Sequence, residues 1–128
     1  MTIAIADTTV VIHLYRRYSP ALAWFDTLPQ PLGITPISWM EVVVGAVNEH
    51  VQDESLRVLR LFNVVHLTIA DQDWAIRQLA RYRLSHGADM NDCMIAAVAY
   101  RLQTPLYTHN LKDMTLLLGN QLAVRPYP

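Results

Sequence analysis

Four acidic residues along this chain have the type and placement that metal-assisted phosphate chemistry uses. Asp7 and Asp113 each follow an apolar strand-like run, whereas Glu41 and Asp92 lie in helix-like segments that come after such runs. Four carboxylates gathered at one end of a sheet repel each other, and a hard divalent cation such as Mg²⁺ offsets that repulsion. The spacing therefore predicts a site at which Mg²⁺ assists chemistry at phosphorus.

The elements that must position these acids alternate along the chain. Short runs of mostly apolar residues predict strands at residues 2–6, 32–34, 63–68, 104–108 and 122–124. Helical spacing and capping residues predict helices at 10–18, 21–28, 35–49, 53–62, 74–85 and 111–118. A further helix is expected to be capped by Asp89 or Asn91 and to run to Leu102. Such alternation predicts an α/β fold, a parallel β-sheet of four to five strands flanked by helices, whose ligands bind beyond the carboxyl ends of the strands.

The bulk composition narrows the class of protein. With 128 residues, 52% of them hydrophobic and 16% charged, the chain is expected to form one domain over residues 1–128. The formal net charge of −1 argues against a protein that binds nucleic acid through bulk positive charge. A single cysteine, Cys93, excludes a disulfide framework and favours a cytoplasmic setting, and no apolar run is long enough for a membrane span.

The segments that carry the four acids resemble the PIN domain family, and within it the small VapC-type toxin ribonucleases. The resemblance includes an acid after the first strand, a glutamate-bearing helix, an aspartate before an Ile-Ala-Ala run and a closing Thr-x-Asn with an aspartate. These features occupy residues 5–12, 37–45, 92–97 and 106–113, in the family's order. The resemblance covers nearly the whole chain and implies a PIN-like nuclease domain.

This resemblance implies a Mg²⁺-dependent endoribonuclease that hydrolyses RNA with a metal-activated water, with Mn²⁺ as a possible substitute. The expected catalytic residues are Asp7, Glu41, Asp92 and Asp113. Because Mg²⁺ takes few direct carboxylates, Asp7 and Asp92 are expected to contact it directly. Neutral hydrogen-bonding residues that could hold these carboxylates are Thr8, Thr9, Thr108 and Asn110.

The resemblance also implies partners. The expected protein is the toxin of a VapBC-type toxin–antitoxin pair, a homodimer that is blocked by a cognate VapB-type antitoxin. The antitoxin would lie along an apolar groove near the active site. Bulky residues that could form such a docking surface or a dimer interface, or could simply pack in the core, are Tyr15, Leu22, Trp24, Phe25 and Trp39.

Other interpretations of the same residues stay open at this point. Asp89 and Asp92 lie one helical turn apart, so either could be the third acid and either could merely cap a helix. A catalytically silent PIN-like module that binds RNA or protein is the main alternative function. A phosphatase with Asp7 as nucleophile would be expected to have a second aspartate two residues later, where the chain has Thr9.

Overall fold

Five short parallel strands form the sheet of this protein, in a computed structural model that describes residues 4–128. The strands are β1 (Ile5–Ala6), β2 (Gly33–Ile34), β3 (Asn63–Val64), β4 (Leu106–Tyr107) and β5 (Ala123–Val124), in the order β3-β2-β1-β4-β5. All four strand pairs are parallel, with Ile5 opposite Gly33 on one side and Leu106 on the other. The central strand is therefore the first one, and the predicted α/β fold is confirmed.

Helices connect every pair of consecutive strands, as parallel pairing requires. They are α1 (Thr8–Tyr15), α2 (Ser19–Asp26), α3 (Pro36–Val44), α4 (Glu49–Leu59), α5 (Ile69–His86), α6 (Met90–Leu102) and α7 (Leu111–Leu118). None of the helices in the described part of the chain is long and apolar enough to cross a membrane.

The sheet separates two hydrophobic clusters, because successive strand residues point to opposite faces. On one face, Ile5 and Leu106 pack with α6 and α7; on the other, Ala4, Ala6 and Ile34 pack with α1 and α3. Four of the five bulky residues considered for docking pack at least partly against the second cluster: Leu22, Trp24, Phe25 and Trp39. Their main contribution is thus to the fold.

Several predicted element boundaries were wrong, and capping explains most of the differences. Helix α1 begins directly after Asp7, whose carboxylate accepts the Thr8 N–H, rather than two residues later. Asn48 caps α4, which therefore begins before the predicted position 53. Thr68 caps α5 in a reciprocal capping box, so that helix starts five residues earlier than predicted. The first two residues of the predicted strand 2–6 lie outside the described residues.

The packing of α5 against α6 fixes the helix that carries Asp92. Gly87 ends α5 with a left-handed backbone at φ 66°, as its type and position predict. Asp89 then caps α6 by accepting the Asp92 N–H. Arg101 of α6 donates from Nε to both carboxylate oxygens of Asp71, which is 2% exposed, at 2.9 and 3.0 Å. This ion pair anchors α6 to the start of α5.

Candidate active site

The fold delivers the four predicted acids to the carboxyl end of the central strands. Asp7 directly follows β1, and Thr108 directly follows the neighbouring strand β4. Asp92 and Asp113 lie in the first turns of α6 and α7. Each acid thus sits within one turn of a strand end or helix start, except Glu41, which reaches the site from the middle of α3.

Asp7 is a buried carboxylate held by two donors. It is 6% exposed. The Thr108 hydroxyl donates to Oδ2 at 2.7 Å and the Thr8 N–H donates to Oδ1 at 2.8 Å. Burial raises the pKa of Asp7 above its ordinary value, the two hydrogen bonds lower it, and the nearby Glu41 carboxylate raises it again. The net effect is a raised pKa, so a nearby cation would stabilise the charged form of this carboxylate.

Glu41 is fixed by donors from two other helices. The Thr8 hydroxyl lies 2.6 Å from Oε1 of Glu41 and 3.0 Å from the Ser38 hydroxyl oxygen. Because Thr8 has one hydroxyl proton and a carboxylate only accepts, that proton goes to Glu41 and Ser38 supplies the proton between the two hydroxyls. On the other side, the Asn91 amide donates to Oε2 at 3.2 Å. Neutral donors thus hold Glu41 without neutralising its charge.

Asp92 experiences the combined charge of the whole cluster. Its Oδ2 accepts from the Asn110 amide at 3.2 Å. Burial is the largest influence on this carboxyl, and the negative charges of Asp7, Asp89, Asp113 and Glu41 add to it, raising the pKa of Asp92 to about 7. The other three predicted acids therefore lie close enough to Asp92 to affect its ionisation.

Two of the predicted supporting residues differ in role. Asn110 donates its side-chain amide to Asp92, and its N–H donates to the Thr108 hydroxyl at 2.9 Å, so it links two of the acids. Within residues 4–128, by contrast, the Thr9 side chain makes no hydrogen bond to any of the carboxylates. Asp89, which sequence could not separate from Asp92, serves as the α6 cap.

Sequence comparison identifies the family of this chain. The profile of the PIN domain family matches residues 4–112, most of the chain. The chain belongs to the PIN domain family. No sequence among curated proteins gives a significant match.

Several solved structures have the same fold as this chain. A chain of a toxin–antitoxin complex from Klebsiella pneumoniae superimposes with a TM-score of 0.79 at 27% identity, covering 97% of this chain and 98% of that one. DNA-bound VapBC from Salmonella typhimurium gives 0.73 at 20% identity, covering 93% and 95%. VapC20 from Mycobacterium tuberculosis, a sarcin–ricin loop cleaving toxin, gives 0.72 at 16% identity, covering 98% and 99%. The chain therefore shares its fold with chains of these proteins, at low sequence identity.

The donor set of this PIN domain suits Mg²⁺, although the carboxylates are not drawn together as a ready cage. Among residues 4–128, no group of three or more His, Cys, Asp or Glu side chains is arranged to hold a metal ion. Mg²⁺ ordinarily keeps several waters and takes only one or two carboxylates, so it does not need such a group. Burial and the neighbouring carboxylates raise the pKa of Asp92, so a cation bound here would stabilise the charged form of this group.

Sequence reasoning missed two residues that position Glu41. Ser38 is fully buried one turn before Glu41 on α3, and Asn91 directly precedes Asp92. Both stand next to predicted acids, and a buried serine on a helix needs a partner for its hydroxyl. That proximity was the only available signal, since Asn91 could equally have been the α6 cap.

Replacing Thr108 with valine is expected to lower the free energy of unfolding by about 1–3 kcal/mol. Valine has nearly the same shape as threonine but no hydroxyl, so the buried Asp7 carboxylate loses a hydrogen-bond donor. The variant also removes the acceptor of the Asn110 N–H. Urea denaturation at pH 7 measures the effect. Thr9→Val is the matched control and should stay within about 0.5 kcal/mol of the wild type. Equal stabilities for the two variants would show that the Asp7–Thr108 hydrogen bond contributes nothing.

Proposed function

We propose that this PIN domain is a Mg²⁺-dependent endoribonuclease and the toxin of a VapBC-type toxin–antitoxin pair. The observation that carries the proposal is a hydrogen-bond network that joins three of the acids: Thr108 and Asn110 link Asp7 to Asp92, and Thr8 links Asp7 to Glu41. Like charges gathered in one partly buried site repel each other, and a bound cation would offset that repulsion. The likeness to chains of toxin–antitoxin complexes supports the physiological role.

In this proposal Asp7 and Asp92 hold the ion, and Mn²⁺ can replace Mg²⁺. The ion, when bound, polarises a phosphoryl oxygen and makes a bound water a better nucleophile. Thr108 and the Thr8 N–H keep the Asp7 carboxylate in one orientation, and Asn110 does the same for Asp92. Fixed carboxylates need no reorganisation when the substrate binds.

Glu41 and Asp113 have the remaining roles, binding a second ion or orienting the attacking water. A carboxylate offers about four acceptor positions, so the hydrogen bonds from Thr8 and Asn91 leave Glu41 able to accept from a water. Partial burial of Glu41 limits the number of competing waters. We assign Glu41 as the residue that accepts the water's proton, with Asp113 adding negative charge beside Asp92.

The toxin role includes a homodimer and a VapB-type antitoxin that blocks the site, in a protein that acts in the cytoplasm. The toxin–antitoxin complex from Klebsiella pneumoniae is a solved example of a similar chain with its partner. Co-expression with the product of a neighbouring short reading frame, followed by copurification, tests this part of the proposal. If the chain cleaves RNA but is not inhibited by that product, the nuclease assignment stands and the toxin assignment is wrong.

Removing the metal is expected to abolish cleavage, and this tests the nuclease assignment itself. The purified chain should cut members of a broad panel of transfer, ribosomal and messenger RNAs in Mg²⁺ or Mn²⁺, and should cut none of them in EDTA. Cleavage that is insensitive to EDTA would indicate a different mechanism or a contaminating nuclease. If no RNA of the panel is cut with either metal, the binding module becomes the better description.

A further inference from the structure

A cavity of about 450 Å³ lies beside the acid cluster, between the end of α5 and the first turns of α7. Its lining residues are mostly polar: Ser85, His86, Lys112, Asp113, Thr115 and Leu116. We call it the Lys112 cavity. It shares Asp113 with the candidate active site. Asp113 lies in the first turn of α7, whose N-cap residue Asn110 donates its side-chain amide to Asp92. A chain bound across the acids therefore meets this cavity next.

The cavity presents hydrogen-bond donors from the end of α5 and from the first turn of α7. Ser85 Oγ and His86 Nδ1 form a hydrogen bond at 2.7 Å, and the Tyr82 ring packs edge-on against His86 at 5.7 Å between ring centres. The His86 ring is therefore oriented, with Nε2 left as its second polar atom. Lys112 is the one lysine of the chain and is exposed, so its ammonium carries three donors.

Neighbouring arginines are occupied elsewhere, which leaves Lys112 as the cation of this cavity. Arg83 donates to the carbonyl oxygens of Gly87 and Ala88 at 3.4 and 3.0 Å, where it secures the end of α5. Arg81 lies over the Tyr82 ring at 5.2 Å. Neither arginine lines the Lys112 cavity.

The opposite flank of the acid cluster differs in character. A cavity of about 410 Å³ on the Glu41 side is lined by Ile37, Met40, Glu41, Val44, Gly45 and Asn91. It contains no cation and exposes apolar side chains, including Met40 and Val44. Of these two flanks, only the one that contains Asp113 offers a lysine to a polyanion that crosses the acids.

An RNA strand needs such a contact because the protein as a whole does not attract it. The formal net charge is −1, and the acids at the site repel phosphate groups. Cationic side chains that neutralise individual phosphates provide most of the affinity of proteins for nucleic-acid backbones. A carboxylate in the same cavity, Asp113, disfavours small free anions, whereas a phosphate tethered to a bound strand can tolerate it.

We propose that the Lys112 cavity binds a backbone phosphate of single-stranded RNA adjacent to the phosphate that is cleaved, with Lys112 neutralising it and His86 donating a hydrogen bond. This inference rests on the proposed endoribonuclease activity and names the contact that orients its substrate. The strand then leaves the acid cluster along the α5–α7 side, and Lys112 is a binding residue rather than a catalytic one.

Direct binding tests the cavity independently of cleavage. The probe is a fluorescein-labelled 12-nucleotide oligouridylate, and anisotropy is measured over a series of salt concentrations with full-length chains carrying Asp7→Asn to prevent cleavage. Adding Lys112→Gln should weaken binding about 3–10-fold at low salt and reduce the slope of log K against log salt by about 0.7, the value for one phosphate of a single strand. Lys112→Arg should bind within about twofold of the parent.

The matched control is Arg57→Gln, which removes an exposed cation that pairs with Glu54 on α4, outside this cavity. Equal effects of Lys112→Gln and Arg57→Gln would overturn the inference, because Lys112 would then act only as general surface charge. If the wild type cleaves no RNA, the proposed function fails, while the binding comparison still decides whether the Lys112 cavity holds a phosphate.

A chemical scan identifies the phosphate in any oligonucleotide that the wild type cleaves. Neutral methylphosphonate linkages are placed one position at a time beside the cleavage site. At one position next to the cleavage site, the methylphosphonate should raise KM for the wild type and should cause no further rise in KM for Lys112→Gln. The Lys112→Gln substitution itself should leave kcat nearly unchanged. Additive effects at every position would contradict a direct contact and overturn the inference.

Discussion

An Asp7→Asn variant is expected to lose more than about 100-fold in RNA cleavage while keeping its fold. Asparagine has the same shape and one side-chain oxygen, which can still accept the Thr8 N–H that starts α1. The Thr108 hydroxyl can rotate to accept from the new amide. The variant turns one acceptor into a donor and removes a charge that the buried position already disfavours, as the raised pKa of Asp7 indicates. Activity is lost because a neutral amide is a poor ligand for Mg²⁺.

The measurement is the initial rate of cleavage of the best RNA from the panel, together with the melting temperature of each protein. Asp73→Asn is the matched control, since it removes an equal charge from an exposed position on α5. The control should cleave at the wild-type rate. An Asp7→Asn protein that is as active as this control would show that Asp7 is not part of the catalytic site.

An Asp92→Asn variant is expected to be more stable than the wild type at pH 8 by about 1–2 kcal/mol in the absence of metal, after allowance for solvent screening of a partly exposed group. Burial and four neighbouring acids raise the pKa of Asp92 to about 7, from an ordinary value of 3.8. The folded protein therefore holds a proton that the unfolded chain releases, so this group's contribution to stability falls as pH rises from about 4 to about 7. Asparagine does not titrate, and the advantage of the variant should disappear near pH 4.

Urea denaturation in EDTA, at pH values between 4 and 8, measures this difference, and Asp73→Asn should show no comparable pH dependence. Mg²⁺ should make the wild type the more stable of the two proteins at pH 8. The ion binds and stabilises the folded wild type, whereas the variant lacks one of the proposed ligands. A wild type that equals Asp92→Asn at pH 8 would mean that the four acids do not repel each other appreciably. A melting temperature that does not change in millimolar Mg²⁺ would count against a site formed in the folded protein.

The sequence sufficed for the fold class and for the placement of the acids because both depend on local patterns. Short apolar runs predicted all five strand positions, and acids at their ends fall at one sheet edge in any parallel α/β fold. Helix boundaries were less accurate at α4 and α5, where Asn48 and Thr68 act as caps in stretches that contain several competing polar residues. The role of Asp7 as the α1 cap was hidden because a carboxylate can serve as a cap and as a ligand at once.

The supporting contacts of the site could not be predicted from sequence because they join residues far apart along the chain. The hydrogen bonds from Asn91 to Glu41 and from Thr108 to Asp7 span 50 and 101 positions. Asp89 and Asp92 became distinguishable only when one carboxylate was seen to accept the N–H of the other residue. The pKa of Asp92 likewise depends on distances between side chains that no linear spacing specifies.

The metal site is tested most directly by anomalous diffraction. A crystal of the wild-type protein is soaked in millimolar MnCl₂ at pH 8, and the anomalous signal locates Mn²⁺. We predict a peak within about 2.0–2.5 Å of carboxylate oxygens of both Asp7 and Asp92, with water completing the coordination. A well-diffracting crystal with no Mn²⁺ at these acids, or with Mn²⁺ bound only elsewhere on the protein, would contradict the proposed site.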